Sequence, residues 1–296
     1  MNFLKNITLI AFLGVFIVSC NKGNKIEETD LRIVSLNGAI TETLSAFGYQ
    51  DNIVGVDVTS TFPEDIKENA QDLGHVSKIS FESLVELQPT LILASSKDIN
   101  EELTEKIRQA KIKLETIEHE QSIGGVKRFI KNIAETLGDN QVDCTSIIEK
   151  IDNDFAKRLD LEIAPKVLFV YARGTGTMMV AGKNTPMAKM IELSGGENAT
   201  NDFENFKPFT PEALVEANPD CILFFTSGLQ SLGGIDGLLQ IPGVNETNAG
   251  RNRRIIDMDG ALLSSFGPRT GEAAYKLNWL LSEMRNTLNE QESENR

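Results

Sequence analysis

The sequence predicts an α/β chain of two Rossmann-like lobes, each built on a central, mostly parallel sheet, joined by one long interlobe helix. From Leu31 onward, short β-branched runs alternate with amphipathic stretches, the pattern of helices covering a parallel sheet. The pattern E-x-L-V-E-x-x-P-x-x-I-L occurs twice, starting at Glu82 and at Glu212, which points to two similarly built lobes rather than a repeat array. Between the copies, Val142, Ile147, Ile148, Ile151, Phe155 and Leu159 form one apolar stripe with no Gly or Pro among them. Residues 141–161 therefore read as a single helix.

Taken in order, Ile33 to Leu36 reads as the first strand and Thr41 to Phe47 as the first helix. Glu42 sits in that helix's first turn and Gly48 just past its end, which suits the dipole and a left-handed stop. Ile53 to Val58, Leu91 to Ala94 and Lys113 to Ile117 are the next strands. Val126, Phe129, Ile130, Ile133 and Leu137 have helical spacing and end at Gly138. After the long helix come a strand at Val167 to Tyr171, a helix at Pro186 to Leu193, a strand at Ile222 to Phe225 and a last helix at Ala273 to Met284. Each repeat copy is a short helix behind a cap residue, Ser80 or Thr210, leading past a proline into a buried strand. A ligand between two such lobes sits in a cleft.

The N-terminus sets the compartment. Lys5 precedes an apolar run from Ile7 to Val18, about a dozen residues, too few for the roughly 20 needed to cross a bilayer and typical of a secretory signal. Ile17-Val18-Ser19-Cys20 resembles a bacterial lipobox, which implies cleavage before Cys20 and acylation of that residue. The expected organisation is a signal peptide (1–19), a lipidated tether (20–30), a first lobe (31–140), the interlobe helix (141–162), a second lobe (163–286) and a polar tail (287–296). The net charge of −14 disfavours nucleic acid and anionic lipid as ligands. Cys144 on a helix and Cys221 on a strand do not suggest a disulfide framework. Two histidines are too few for a histidine-rich zinc or manganese site.

Several segments, in this order, resemble a known family. They are Arg32 to Glu42 (RIVSLNGAITE), Val56 to Pro63 (VDVTSTFP), Val180 to Thr185 (VAGKNT), Ala249 to Arg254 (AGRNRR) and Phe266 to Thr270 (FGPRT). The family is the helix-bridged, two-lobed binding proteins of ABC importers for iron siderophores, hemin and cobalamin, and the hemin-binding branch is the closest. The resemblance implies an exported, membrane-anchored carrier whose partners are a permease dimer and its ATPase. It also implies that Glu82 and Glu212, one on each lobe, dock onto arginines of the two permease subunits. The bound ligand is expected to be hemin or another iron chelate, with no catalytic cofactor.

The hemin branch carries a coordinating tyrosine before the proline of the first-lobe loop, and here that position is Phe62, whose ring has no lone pair for a metal. Phe62 remains suited to stacking on a porphyrin. His75, between this loop and the Ser80 cap, is the favoured iron ligand, with His119, Tyr171, Met178 and Met179 as the other donors. Arg173 after the strand at Tyr171, and Arg269 before the last helix, are candidates for a ligand's carboxylates, whereas Arg251, Arg253 and Arg254 read as a solvated turn. A ferric siderophore or cobalamin is the alternative ligand. A lipoprotein enzyme and a surface adhesin are alternatives of other classes, but the chain has no G-x-S-x-G elbow, phosphate loop or H-E-x-x-H motif.

Overall fold

The computed structural model describes residues 31–138 and 142–294, with side chains as far as Met284; the signal segment, Cys20 and the tether lie outside the described residues. Strands β1 (Ile33–Leu36), β2 (Ile53–Val56), β3 (Gln71–Asp72), β4 (Leu91–Ser95) and β5 (Lys113–Ile117) form one sheet in the order β3-β2-β1-β4-β5. Every pairing in it is parallel. The central strands β1 and β4 are buried along their whole length, as apolar runs covered on both faces must be. Helices α1 (Gly38–Ala46), α2 (Phe81–Glu86), α3 (Glu101–Gln109) and α4 (Ile123–Leu137) connect and cover them. Helix α1 starts three residues earlier than the sequence pattern suggests, because Asn37 Oδ1 accepts from Ala39 N at 2.9 Å and caps it.

The second sheet runs β11-β10-β6-β7-β9, with β8 also paired to β6. Its strands are β6 (Lys166–Ala172), β7 (Met178–Ala181), β8 (Glu197–Asn198), β9 (Phe206–Pro208), β10 (Cys221–Phe225) and β11 (Ile255–Met258). Pairings among β6, β8, β10 and β11 are parallel, and β7 runs antiparallel to both of its neighbours. Strands β3, β7, β8, β9 and β11 are absent from the sequence pattern because each is only two to four residues long and lacks a clear alternation.

The helix expected over residues 141–161 is shorter, α5 (Cys144–Ala156). Asp143 starts it by accepting from Thr145 N and Ser146 N. It stops because the next backbone groups find partners elsewhere: Leu159 N donates to Asn278 Oδ1 at 2.7 Å, and Asn278 Nδ2 donates to Leu159 O at 3.0 Å. The stripe therefore continues apolar while the chain leaves the helix. The second lobe also holds helices α6 (Pro186–Leu193), α7 (Pro211–Ala217), α8 (Gly260–Ser264) and α9 (Thr270–Glu294), besides short helical segments at Thr226–Ser231, Gly234–Leu238 and Asn248–Arg251, and α9 extends past the expected end at Met284.

One buried apolar cluster passes through both lobes, joining Ile40 and Phe129 of the first with Phe169 and Leu223 of the second by way of Ile151, Phe266 and Leu277. Burying side chains of this size stabilises by about 1.5–3 kcal/mol each. The lobes therefore share a packed junction in addition to the connecting helix.

Candidate functional site

In a parallel sheet the loops that can carry chemistry follow the carboxyl ends of the strands, and the ligand crevice lies outside those ends. The first lobe presents Asn37, Asp57 to Pro63, His75, Ser96 to Asp98 and Glu118 to Gln121 there; the second presents Arg173, Thr226 and Asp259. The two sets face each other across a cleft. His119 Nε2 donates to Phe266 O at 2.9 Å, and a cavity of about 230 Å3 is lined by residues of both lobes, including Asn37, Lys97, Ala261 and Ser265.

The loop after β2 is fixed from below. Buried Asp57 accepts from Thr59 Oγ1 at 2.7 Å and from Ser60 Oγ at 2.8 Å, and Thr59 Oγ1 accepts from Gly38 N at 2.9 Å. This holds Phe62 at the cleft, 37% exposed, with the Arg269 guanidinium 3.6 Å from its ring centroid. One face of Phe62 is thus covered by a cation, an arrangement worth about 0.5–2 kcal/mol.

Arg269 is committed to Glu42. Its Nε and Nη2 each donate at 3.0 Å to a different carboxylate oxygen, and its backbone N donates to Oε1 at 3.1 Å. The Glu42 and Arg269 side chains are 3% and 19% exposed. Glu42 is therefore not the solvated helix-start acid that its position suggests, and the arginine expected to meet a ligand carboxylate already holds one across the lobe boundary. Burial pushes the Glu42 carboxyl up, the two hydrogen bonds and charge of Arg269 oppose this, and Glu272 adds to the rise.

His75 is exposed and caps the turn at Val76–Lys78; its Nδ1 is 2.9 Å from Ser77 Oγ, so Nε2 is the nitrogen left for a ligand. His119 differs. It is stacked on Phe129 at 4.3 Å, burial pushes its pKa down, and its Nε2 is engaged by Phe266, which makes it an interlobe strut.

On the second lobe, the two-residue period of β6 puts Phe169 and Tyr171 on one face, and Arg173 follows just past the strand's end. Tyr171 is half-buried against the edge of Phe225, lies opposite Met179 on β7, and its hydroxyl has no hydrogen-bond partner among the described residues. Arg173 is exposed, 6.0 Å from the Tyr171 ring, on a turn closed by its N donating to Thr177 O at 2.9 Å. Met178 and Met179 are half-buried on β7. Arg251 and Arg253 are taken up by Asn248 and Asp236, so the basic cluster serves local structure. No group of three or more metal-binding side chains occurs among the described residues.

The two repeat copies fold alike. Ser80 Oγ caps α2 and Thr210 Oγ1 caps α7, at 3.1 and 3.2 Å. Gln88 and Asn218, at φ 48° and 39°, end them in the left-handed region. Because each helix runs back toward the start of the next strand, its first turn lies on the cleft side, which puts exposed Glu82 and Glu212 on the rim of opposite lobes. Each also exposes a valine one turn on, Val85 at 39% and Val215 at 42%. Sequence reasoning passes over these valines, as it does Lys97, and reads Glu42 only as a helix-start acid.

Residues 33–262 match the family described as periplasmic binding protein. Among solved structures, the periplasmic heme-binding protein RhuT from Roseiflexus sp. RS-1 is 36% identical, with a TM-score of 0.80 over 86% of this chain and 98% of that one. The periplasmic heme-binding protein BhuT, solved with two hemes, is 31% identical at a TM-score of 0.78, over 86% and 98%. The uncharacterized ABC transporter substrate-binding lipoprotein YvrC of Bacillus subtilis is 27% identical over 265 residues, 87% of this chain and 82% of its own. A cobalamin-binding protein of Halobacterium salinarum is 27% identical over 201 residues, 65% of this chain and 53% of its own.

Proposed function

Because this chain belongs to the periplasmic binding protein family, it is an extracytoplasmic solute-binding protein of an ABC importer and not an enzyme, and we propose that its solute is hemin. The observation that carries this reading is the pair of aromatic side chains, Phe62 and Tyr171, at the cleft from opposite lobes, with Arg173 exposed beside one of them. A flat apolar macrocycle suits the rings, and its propionates suit a guanidinium. Phe62 serves as a stacking face, backed by Arg269. His75 Nε2 and the Tyr171 phenol are the iron donors available from the two lobes.

In a titration with hemin, Arg173→Ala weakens binding about tenfold, the worth of one charge-assisted hydrogen bond. His75→Ala and Tyr171→Phe shift the Soret maximum of the complex. Unchanged spectra in both of the last two variants would remove them as iron ligands.

A corrinoid is the second reading. It is favoured by Phe62, since a ligand that brings its own axial groups needs no phenolate at that loop, and by the likeness to a cobalamin-binding protein.

The carrier is held to a membrane through acylated Cys20 and delivers its ligand by docking Glu82 and Glu212 on the two like subunits of a permease. The support for docking is the duplication of one exposed face on both lobes, which a two-fold partner can read twice. With Glu82→Lys and Glu212→Lys combined, ligand-stimulated ATP hydrolysis by the reconstituted importer falls at least about tenfold while hemin affinity is unchanged. Full stimulation by the double variant contradicts the docking assignment.

A further inference from the structure

The cavity on the β4–β5 side of the cleft, about 230 Å3, is used by none of the groups assigned above. Lys97 enters it from the loop after β4, Gln121 from the loop after β5, and Ser265 from the end of α8 in the opposite lobe. The Lys97 ammonium, the Gln121 amide and the Ser265 hydroxyl make no hydrogen bond or ion pair with the described residues.

Their neighbours are already satisfied. Asp98 accepts from Asn37 Nδ2 at 3.3 Å, His119 donates to Phe266 O, and Ser264 Oγ donates to Gly260 O at 2.7 Å. The first amides of α1 are taken as well, Gly38 N by Thr59 and Ala39 N by Asn37, so a capacity for anions does not rest on the helix end. What remains is the Lys97 ammonium and two neutral groups able to donate, converging from three loops and both lobes, with the Asp98 carboxylate on the same wall turned to Asn37. A carboxylate, which only accepts, is the complement.

The sheet order gives the scale. Strands β3 and β4 are three positions apart, about 14 Å at the usual strand spacing. A ligand that meets His75 after β3 and Lys97 after β4 must span the cleft, as a macrocycle with pendant acids does and a compact chelate does not.

We propose that Lys97, Gln121 and Ser265 form a carboxylate pocket that holds one acid side arm of a tetrapyrrole lying in the cleft, an assignment that rests on the hemin reading above. The test is a titration of wild-type, Lys97→Met and Lys97→Arg chains with hemin and with hemin dimethyl ester, followed at the Soret band. Lys97 is exposed, so folding is not at stake. With Arg173 on the other acid arm, the pocket predicts that wild type binds hemin about a hundredfold more tightly than the ester, the worth of two charge-assisted hydrogen bonds. Lys97→Met loses about tenfold of that preference by weakening hemin alone, and Lys97→Arg restores most of it. If Lys97→Met discriminates as wild type does, or if wild type binds both porphyrins equally, the pocket is wrong and hemin as ligand stands. If wild type binds neither, both assignments fall.

Discussion

Arg269→Ala lowers the stability of the chain by about 3–5 kcal/mol at neutral pH, the cost of leaving one partner of a buried ion pair alone. The loss arises because Glu42 keeps its buried position without the guanidinium that met both of its oxygens. Burial already holds the Glu42 carboxyl above its ordinary value of 4.5, with Arg269 opposing and Glu272 reinforcing the rise. A carboxyl raised on folding contributes stability that is complete below its unfolded value and is lost as pH rises through its folded value. Removing Arg269 takes away the opposing charge and moves the folded value higher still. Urea unfolding should therefore show the largest deficit of Arg269→Ala near pH 7–8 and a partial recovery near pH 5. Glu42→Gln, which keeps the shape and part of the hydrogen bonding, loses only about 1 kcal/mol and shows no such recovery. Equal losses in the two variants, or a deficit in Arg269→Ala that does not change with pH, would contradict the account of this pair.

Gly271→Ala is the second large effect, and its sign is the informative part. In a helix this exchange ordinarily stabilises by up to about 1 kcal/mol. Here a Cβ on Gly271 would stand inside the contact radius of the Ile151 carbonyl, so the obstacle is the backbone of α5 itself, with no flexible side chain to give way. Moving α9 off α5 also disturbs Arg269, two residues earlier. The expected result is a loss of about 3 kcal/mol in urea unfolding, at the upper end for overpacking. A midpoint equal to or above that of wild type would mean that the two helices do not pack this closely.

Four strands of the first sheet, all but the two-residue β3, and the paired short helices are legible in the sequence because local chemistry fixes them. Ile33 to Leu36 and Leu91 to Ala94 are apolar runs too short for helices, and Ser80 and Thr210 are caps at matching places in a duplicated pattern. The end of α5 is not legible, since it depends on Asn278, 119 positions from Leu159. Nor is the partner of Glu42, which lies 227 positions away and turns an apparent helix-start acid into a buried one. Of the cleft residues, Phe62, His75, Tyr171 and Arg173 stand out as unusual side chains at strand ends. Lys97 does not, because a lysine beside an aspartate after a strand looks like any solvated turn until Asn37 is seen to engage the aspartate.

The central claim is that the cleft between the two sheets takes up one flat tetrapyrrole. Its most direct test is a titration of the purified wild-type chain with hemin, followed at the Soret band, with cyanocobalamin in parallel. A saturable one-to-one Soret shift with hemin, and no binding of cyanocobalamin, is the predicted result. Tight binding of cyanocobalamin with no hemin-dependent shift would contradict it and make the corrinoid the ligand of this carrier.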